Sequence, residues 1–289
     1  MHKRKARRLA AKVTMVTSLF LSTTANSAPD RAAQWTRDIA EIASDKNEGR
    51  LTGSAGYLRA ASYVEQRFRE LGLKPAGVNG TFRQPVAFEE QTVDLPNSSA
   101  RLTVGDKSIP LVVGRDIIVS AGGAPLPAAL DAPLVFVGYG LHMPERGHDD
   151  FAGLDLRGKI AVVISGGPAS LSGPEKAAAR SKRAHFLAEA GAIGLLSLTT
   201  PRQVEIPWSR QMLLASQPGM YLADGKLRET RNGYQSAMLN PALAEQLFVG
   251  SGHSFAELAT LADRSADVPR FALKARLSTR ISALGKAAM

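Results

Sequence analysis

The sequence contains no cysteine. That excludes disulfides and thiolate sites, so stability must come from a core or a ligand. For an exported chain this suits a bacterial periplasm better than a small disulfide-stapled scaffold. Aromatics are sparse, at 6% with two tryptophans, and no basic stretch is interleaved with them. The run "EKAAARSKR" is one face of a helix, which argues against a nucleic-acid surface, and Trp35 and Trp208 read as packing residues. No hydrophobic run is long. Val13 to Leu21 spans about nine residues, far short of the ~20 that cross a bilayer. The segments "GSAG" and "GGPAS" do not form the Gly-x-Ser-x-Gly elbow of serine hydrolases. There is no internal repeat.

The formal charge is +10, and much of it sits at the start. "MHKRKARRLAAK" has six basic residues and no acid. A short apolar run and the small-residue stretch "STTANSA" follow, the order of a secretory signal peptide. Residues 1–28 are therefore read as a signal, cleaved between about 25 and 28. Its removal leaves 30 basic residues against 26 acidic ones, a mild excess. A lone Arg7-Arg8 dipeptide does not establish twin-arginine export. The expected location is periplasmic or secreted, with no stable membrane anchor and no nucleic-acid partner.

Beyond the signal, Ala32, Trp35, Ile39 and Ile42 recur at helical spacing. Tyr57, Ala60, Ala61, Val64, Phe68 and Leu71 form a second stripe, with Gly72 placed to end that helix. Between residues 84 and 120 the period becomes that of strands: "QPVAFEEQTV", "ARLTV", "IPLVV" and "DIIVS". "AGGAPLPAALDAP" reads as a linker. "PLVFVGYGL", "KIAVVISG" and "AIGLLSLT" read as buried strands, being short and apolar throughout. "GPEKAAARSKRAHFLAEAG" is expected as one helix, and "RQMLLA" and "GMYLAD" as short strands. Asn240 with Pro241, and Ser254 with Glu257, are expected to start two short helices. "FALKARLSTRIS" is expected as a strand, followed by a featureless "ALGKAAM".

The glycine-rich turn at residues 47–56 raises the question of phosphate binding. A phosphate loop needs a preceding strand; here a helix precedes it. The bland reading is a turn between helices in which Gly49, Gly53 and Gly56 supply special backbone angles. The whole segment "SDKNEGRLTGSAGYLRAASYVEQRFRELGLKPAG" resembles the N-terminal helix pair of the two-zinc aminopeptidase family of aminopeptidase Y and glutamate carboxypeptidase. The match is carried by Glu48, Gly49, Arg50, Thr52 and Gly53, then Leu71, Gly72, Leu73, Pro75, Ala76 and Gly77. "APLVFVGYGLHMPERGHDDFAGLDLRGKIAVVISGGP" resembles the protease-associated domain inserted in such enzymes. "LNPALAEQLFVGSGHSFAEL" resembles the segment returning from that insert.

The resemblance implies an α/β fold: a partial peptidase-like region with an inserted β-rich protease-associated domain. The implied divisions are 29–128 for the first peptidase-like part, 129–235 for the insert, with a core of its own, and 236–289 for a truncated return. It implies peptide or protein substrates, and zinc in complete family members. That chemistry uses His, Asp and Glu ligands downstream of the strand that "FALKARLSTRIS" resembles. Here His253 is the last histidine, followed only by Glu257, Asp263 and Asp267 as acids. No catalytic, metal or cofactor residue can therefore be assigned, and no cofactor is expected in this chain.

One cluster could still be a metal site: His142, Glu145, His148, Asp149 and Asp150 in "LHMPERGHDDF". The plainer reading is a loop whose Asp149 or Asp150 accepts backbone N–H groups. His185 is expected at the surface and His253 at a helix entry. Three readings stay open. The chain is the front of an exported zinc aminopeptidase without its catalytic segment, a non-catalytic protease-associated binding module, or a truncated relic.

Overall fold

The computed structural model describes residues 31–288; the expected signal, 1–28, lies outside them. The chain forms two compact units, one up to Leu73 and one from Lys74 onward.

The described part of the first unit is a helix pair. Helix α1 (Arg31–Ile42) and helix α2 (Ala55–Glu70) are joined by a 3₁₀ turn at Asp45–Arg50. Ser54 caps α2 by accepting from the Tyr57 N–H at 3.1 Å. At the other end Gly72 takes φ +70°. There Leu73 N–H donates to the Phe68 carbonyl and Gly72 N–H to the Arg69 carbonyl, a Schellman closure that only glycine reaches without strain. The expected apolar stripes do not form a dry seam. No residue of α1 is buried, and Trp35, expected to pack, is 68% exposed. The helices are tied by polar contacts instead. Tyr63 Oη donates to Asp38 at 2.6 Å, and Arg67 Nε lies 3.1 Å from the same carboxylate.

The second unit carries the strands β1 (Phe88–Val93), β2 (Ser99–Val104), β3 (Lys107–Leu111), β4 (Ile117–Val119) and β5 (Ala129–Phe136). The two-residue strands β6 (His142–Met143) and β7 (His148–Asp149) and then β8 (Ile160–Ile164) follow. Helices α3 (Gly173–Ser181) and α4 (Arg183–Glu189) lead to β9 (Gly194–Leu198). Next come α5 (Trp208–Gln211), β10 (Gly219–Leu222), β11 (Gln235–Leu239), α6 (Phe255–Asp263), β12 (Phe271–Arg280) and β13 (Ala283–Ala288).

Eight strands make one mixed sheet in the order β3-β2-β12-β5-β8-β9-β11-β4. The pairs β5–β8, β8–β9 and β9–β11 are parallel, while β2–β3, β2–β12, β12–β5 and β11–β4 are antiparallel. The parallel centre explains the unbroken apolar runs. Ile160, Val162 and Ile164 of β8 pack into one core, and Ala161 and Val163 into another on the opposite face. One face is covered by the Pro241–Phe248 turn and α6, through Leu247, Phe248 and Leu258; the other by Leu187 and Ala188 of α4. A second sheet, β10-β1-β13, is antiparallel throughout.

One sheet carries strands from all three expected stretches: β5 of 129–235 pairs with β12 of 236–289, and β12 pairs on its other side with β2 of 29–128. Several readings of single elements are corrected. The strand β11, which alternates buried and half-buried residues, was not expected. The "featureless" tail is β13, paired with β1 from Val93↔Ala283 to Phe88↔Ala288; alanine and glycine pair by backbone without showing a strand pattern. "RQMLLA" is helical. Arg210 and Gln211 N–H groups both donate to the Pro207 carbonyl, and Leu213 and Leu214 stay exposed. The long helix expected after β8 is broken at Lys182, whose ψ of 0° ends α3 before α4 begins. Asn240 and Ser254 cap as expected, accepting from Ala242 and Glu257 N–H groups at 3.0 and 3.1 Å.

Candidate functional site

The histidine-rich segment folds as the β6–β7 hairpin, which projects from the C-terminal end of β5. Two glycines make the approach, Gly138 and Gly140, with φ of +63° and +66°. A side chain at Gly140 would also meet Val163 Cγ1 at 2.5 Å, so the turn lies directly on β8. The register pairs His142 with Asp149 and Met143 with His148.

This register sets side chains against each other in two histidine–aspartate pairs. His142 Nδ1 is 3.0 Å from Asp149 Oδ1, and the imidazole stacks on Phe151 with a ring separation of 5.3 Å. His148 Nε2 lies 3.2 Å from Asp150 Oδ1 without making a hydrogen bond to it. Both carboxylates also serve the backbone. Asp149 Oδ1 accepts from Phe151 N–H, and Asp150 Oδ2 from Leu141 N–H, each at 2.9 Å. Arg270, just before β12, donates to the Asp149 carbonyl and stands 4.0 Å from Asp150 Oδ1.

The two acids differ in burial. Asp150 is 4% exposed, and burial pushes its carboxyl above the ordinary range against the Leu141 N–H, His148 and Arg270. Asp149 is pushed up by partial burial, but the His142 and Phe151 contacts outweigh that and hold it low. Nearby, burial pushes the Tyr139 phenol up to about 12, and its hydroxyl donates to the Ala266 carbonyl at 2.6 Å. Glu145 is in neither pair, and its neighbour Arg146 pairs with Glu175 at 2.7 Å.

The sequence thus brought together four of its five candidate ligands, but as pairs. Among the described residues no group of three or more His, Cys, Asp or Glu could hold a metal ion. The hairpin is a clasp that fixes the β5 exit loop against the lead-in to β12. The remaining histidines lie elsewhere. His185 is exposed, with Nδ1 3.1 Å from the Glu229 carbonyl oxygen. His253 immediately precedes the cap of α6, pairs with Glu257 at 3.2 Å and stacks on Phe271. Arg183 and Tyr234 were not singled out in the sequence. Arg183 Nε and Nη2 and Tyr234 Oη are buried without hydrogen-bond partners, and burial lowers the guanidinium to about 10. Neither position carries a local sequence signal, because their burial comes from α4 packing on the sheet.

No family model matches the chain, and no curated protein matches it by sequence. Among solved structures, it aligns with an aminopeptidase from Aneurinibacillus sp. strain AM-1 at 16% identity and a TM-score of 0.35, over 87% of this chain and 48% of that one. It aligns with BSAP, a zinc aminopeptidase from Bacillus subtilis, at 15% identity and a TM-score of 0.31, over 90% and 46%. A third match is the psychrophilic subtilisin-like protease Apa1 of Pseudoalteromonas sp. AS-11, at 12% identity and 0.30, over 71% and 38%. The chain spans less than half the length of each of these proteins. At such scores the superpositions do not by themselves define a common fold.

Proposed function

We propose that this chain is an exported, non-catalytic portion of a zinc aminopeptidase-like protein. In this reading the helix pair belongs to the front of the peptidase-like region, residues 129–235 are the inserted protease-associated part, and the two-zinc centre is not supplied by the residues described. The observation that carries the reading is the order of three sequence resemblances along one chain: the "EGRLTG…LGLKPAG" helix pair, the "VGYGL…DDF…DLRGK" segment, and "LNPALAEQLF". The site geometry is compatible with a framework role. The aspartates of "HDD" accept from backbone N–H groups and stand against histidines, as in a framework loop. Peptide or protein contacts, rather than bond cleavage, are the activity this reading assigns.

The deciding experiment is metal analysis of the dialysed protein together with an aminoacyl-anilide hydrolysis assay. Less than stoichiometric zinc and no hydrolysis are expected. One or two tightly held zinc ions, lost when His142 and His148 are both replaced by alanine, would overturn the reading. Export is tested separately by N-terminal sequencing of the periplasmic product, which should begin between about residues 26 and 29. A product beginning at Met1 would end that part of the proposal.

A further inference from the structure

The loops that lead into the parallel strands β8, β9 and β11 border an open cavity of about 350 Å³. Arg157 lines it ahead of β8, Gly191 ahead of β9, and Arg231, Asn232 and Tyr234 ahead of β11. No aspartate or glutamate is among its lining residues. The backbone comes close on one side. A Cβ on Gly191, whose φ is +94°, would stand 2.8 Å from Arg157 Cγ.

Three of the lining side chains, those of Arg157, Arg231 and Asn232, carry N–H donors. Asn232 Oδ1 accepts from Arg228 Nη1 at 2.7 Å, which orients the amide and leaves its NH₂ able to donate. Arg228 is itself fixed. Its Nε donates to the Leu222 carbonyl at 2.6 Å, its Nη2 to the Ala223 carbonyl at 3.0 Å, and its guanidinium lies over the Tyr221 ring. Arg231 gives Nη2 to the Ala188 carbonyl, and Arg157 gives Nε to Asp155 at 3.0 Å. Each keeps further N–H groups.

We propose that this cavity binds a small oxyanion, held by Arg157, Arg231 and the Asn232 amide, with Arg228 acting as a positioning residue. A lining that offers N–H donors and no carboxylate suits an anion, and guanidinium matches the planar edge of a carboxylate or phosphate group. The inference is independent of the peptidase reading above.

The test is an NMR titration of the full chain with inorganic phosphate and, in a second arm, with succinate, against sodium chloride at matched ionic strength. Saturable shifts of the amides of residues 191–193 and 231–234 are expected in at least one arm. Saturation with phosphate alone assigns a phosphoryl ligand, and saturation with succinate alone a carboxylate. Arg231→Gln and Asn232→Asp should each weaken binding about tenfold or more, the second by placing a carboxylate in the same volume. Arg101→Gln, on β2, should leave it unchanged. The thermal transition of each variant shows whether the fold survives, and Arg231→Lys, which keeps the charge, should bind better than Arg231→Gln. Shifts that fail to saturate in both arms, or equal weakening by Arg101→Gln, would overturn the proposal.

Discussion

A Cβ added to Gly56 would stand 2.1 Å from the carbonyl oxygen of Asn47 and 2.7 Å from its carbonyl carbon. Both obstacles are backbone, so neither can swing aside. Asn47 is anchored in turn: its Nδ2 donates to the carbonyls of Glu41 and Ile42 at 2.8 and 3.1 Å, closing the C-terminus of α1. Gly56→Ala should therefore separate the first turn of α2 from this turn, at a cost of ~1–3 kcal/mol typical of overpacking. Hydrogen exchange of residues 55–62 reads the effect. Protection equal to the parent would show that the helix pair does not depend on this approach.

Asp150 gives a pH prediction. Burial raises its carboxyl in the folded state, so the folded form favours the protonated acid. Its contribution to stability is fully present below the ordinary aspartate value near 3.9 and is lost as pH rises through the raised folded value. Asp150→Asn removes this dependence while keeping an oxygen for Leu141 N–H. Its denaturation midpoint should change less between pH 4 and pH 7 than the parent's. Asp150→Ala leaves that N–H buried without an acceptor and should cost ~1–3 kcal/mol at either pH. Parallel pH profiles for the parent and Asp150→Asn would refute the argument.

Much of this was legible in residue order. The Gly72 closure, the caps at Asn240 and Ser254 and the apolar runs of β5, β8 and β9 all follow from local chemistry. The glycine turn was read in part. Gly49 and Gly53 do take positive φ, but Gly56 is helical and is needed for close approach, a fact set by Asn47 nine residues earlier. Glu48 and Arg50 also adopt positive φ, which no composition rule anticipates. What could not be read was long-range pairing. Nothing in "ALGKAAM" announces an alignment with Phe88–Val93, and nothing in "QSAML" says that Gln235 will accept from Thr279 Oγ1 at 2.9 Å. The "HDD" loop was legible as a capping loop; its second role, as a pair of histidine contacts, depends on the two-residue register of β6 and β7.

Asp155 sits in the turn before β8. The Arg157 side chain, the Arg157 backbone N–H and Lys159 Nζ converge on it and hold its carboxyl down to about 2. A lowered folded value means the contribution is present above the ordinary aspartate range and lost as pH falls toward 2. The group is exposed, so the effect is screened by salt. An NMR titration of Asp155 should give a midpoint well below that of an unpaired aspartate and should move upward in Arg157→Gln. An unchanged midpoint in that variant would mean the side chain does not set it.

The final prediction concerns what folds alone. A fragment of residues 129–235 keeps β5, β8 and β9 but loses β12, the antiparallel partner of β5 from Phe271↔Phe136 to Arg280↔Ala129. It also loses the cover of one face. Phe136 packs edge-on against Phe248 at a ring separation of 5.3 Å, and Leu134, Ile160, Val162 and Ile164 share that core with Leu247 and Leu258. Each large side chain uncovered forfeits ~1.5–3 kcal/mol, and several at once exceed the ~5–15 kcal/mol by which a domain is stable. The fragment should bind a hydrophobic dye, lack a sharp thermal transition and associate through the open face. A fragment of residues 74–289, which retains both sheets and both cores, should melt cooperatively. A sharp, reversible transition for a monomeric 129–235 fragment would show that β12 and α6 are dispensable to the sheet, and that the boundary expected from the sequence resemblance is the physical one.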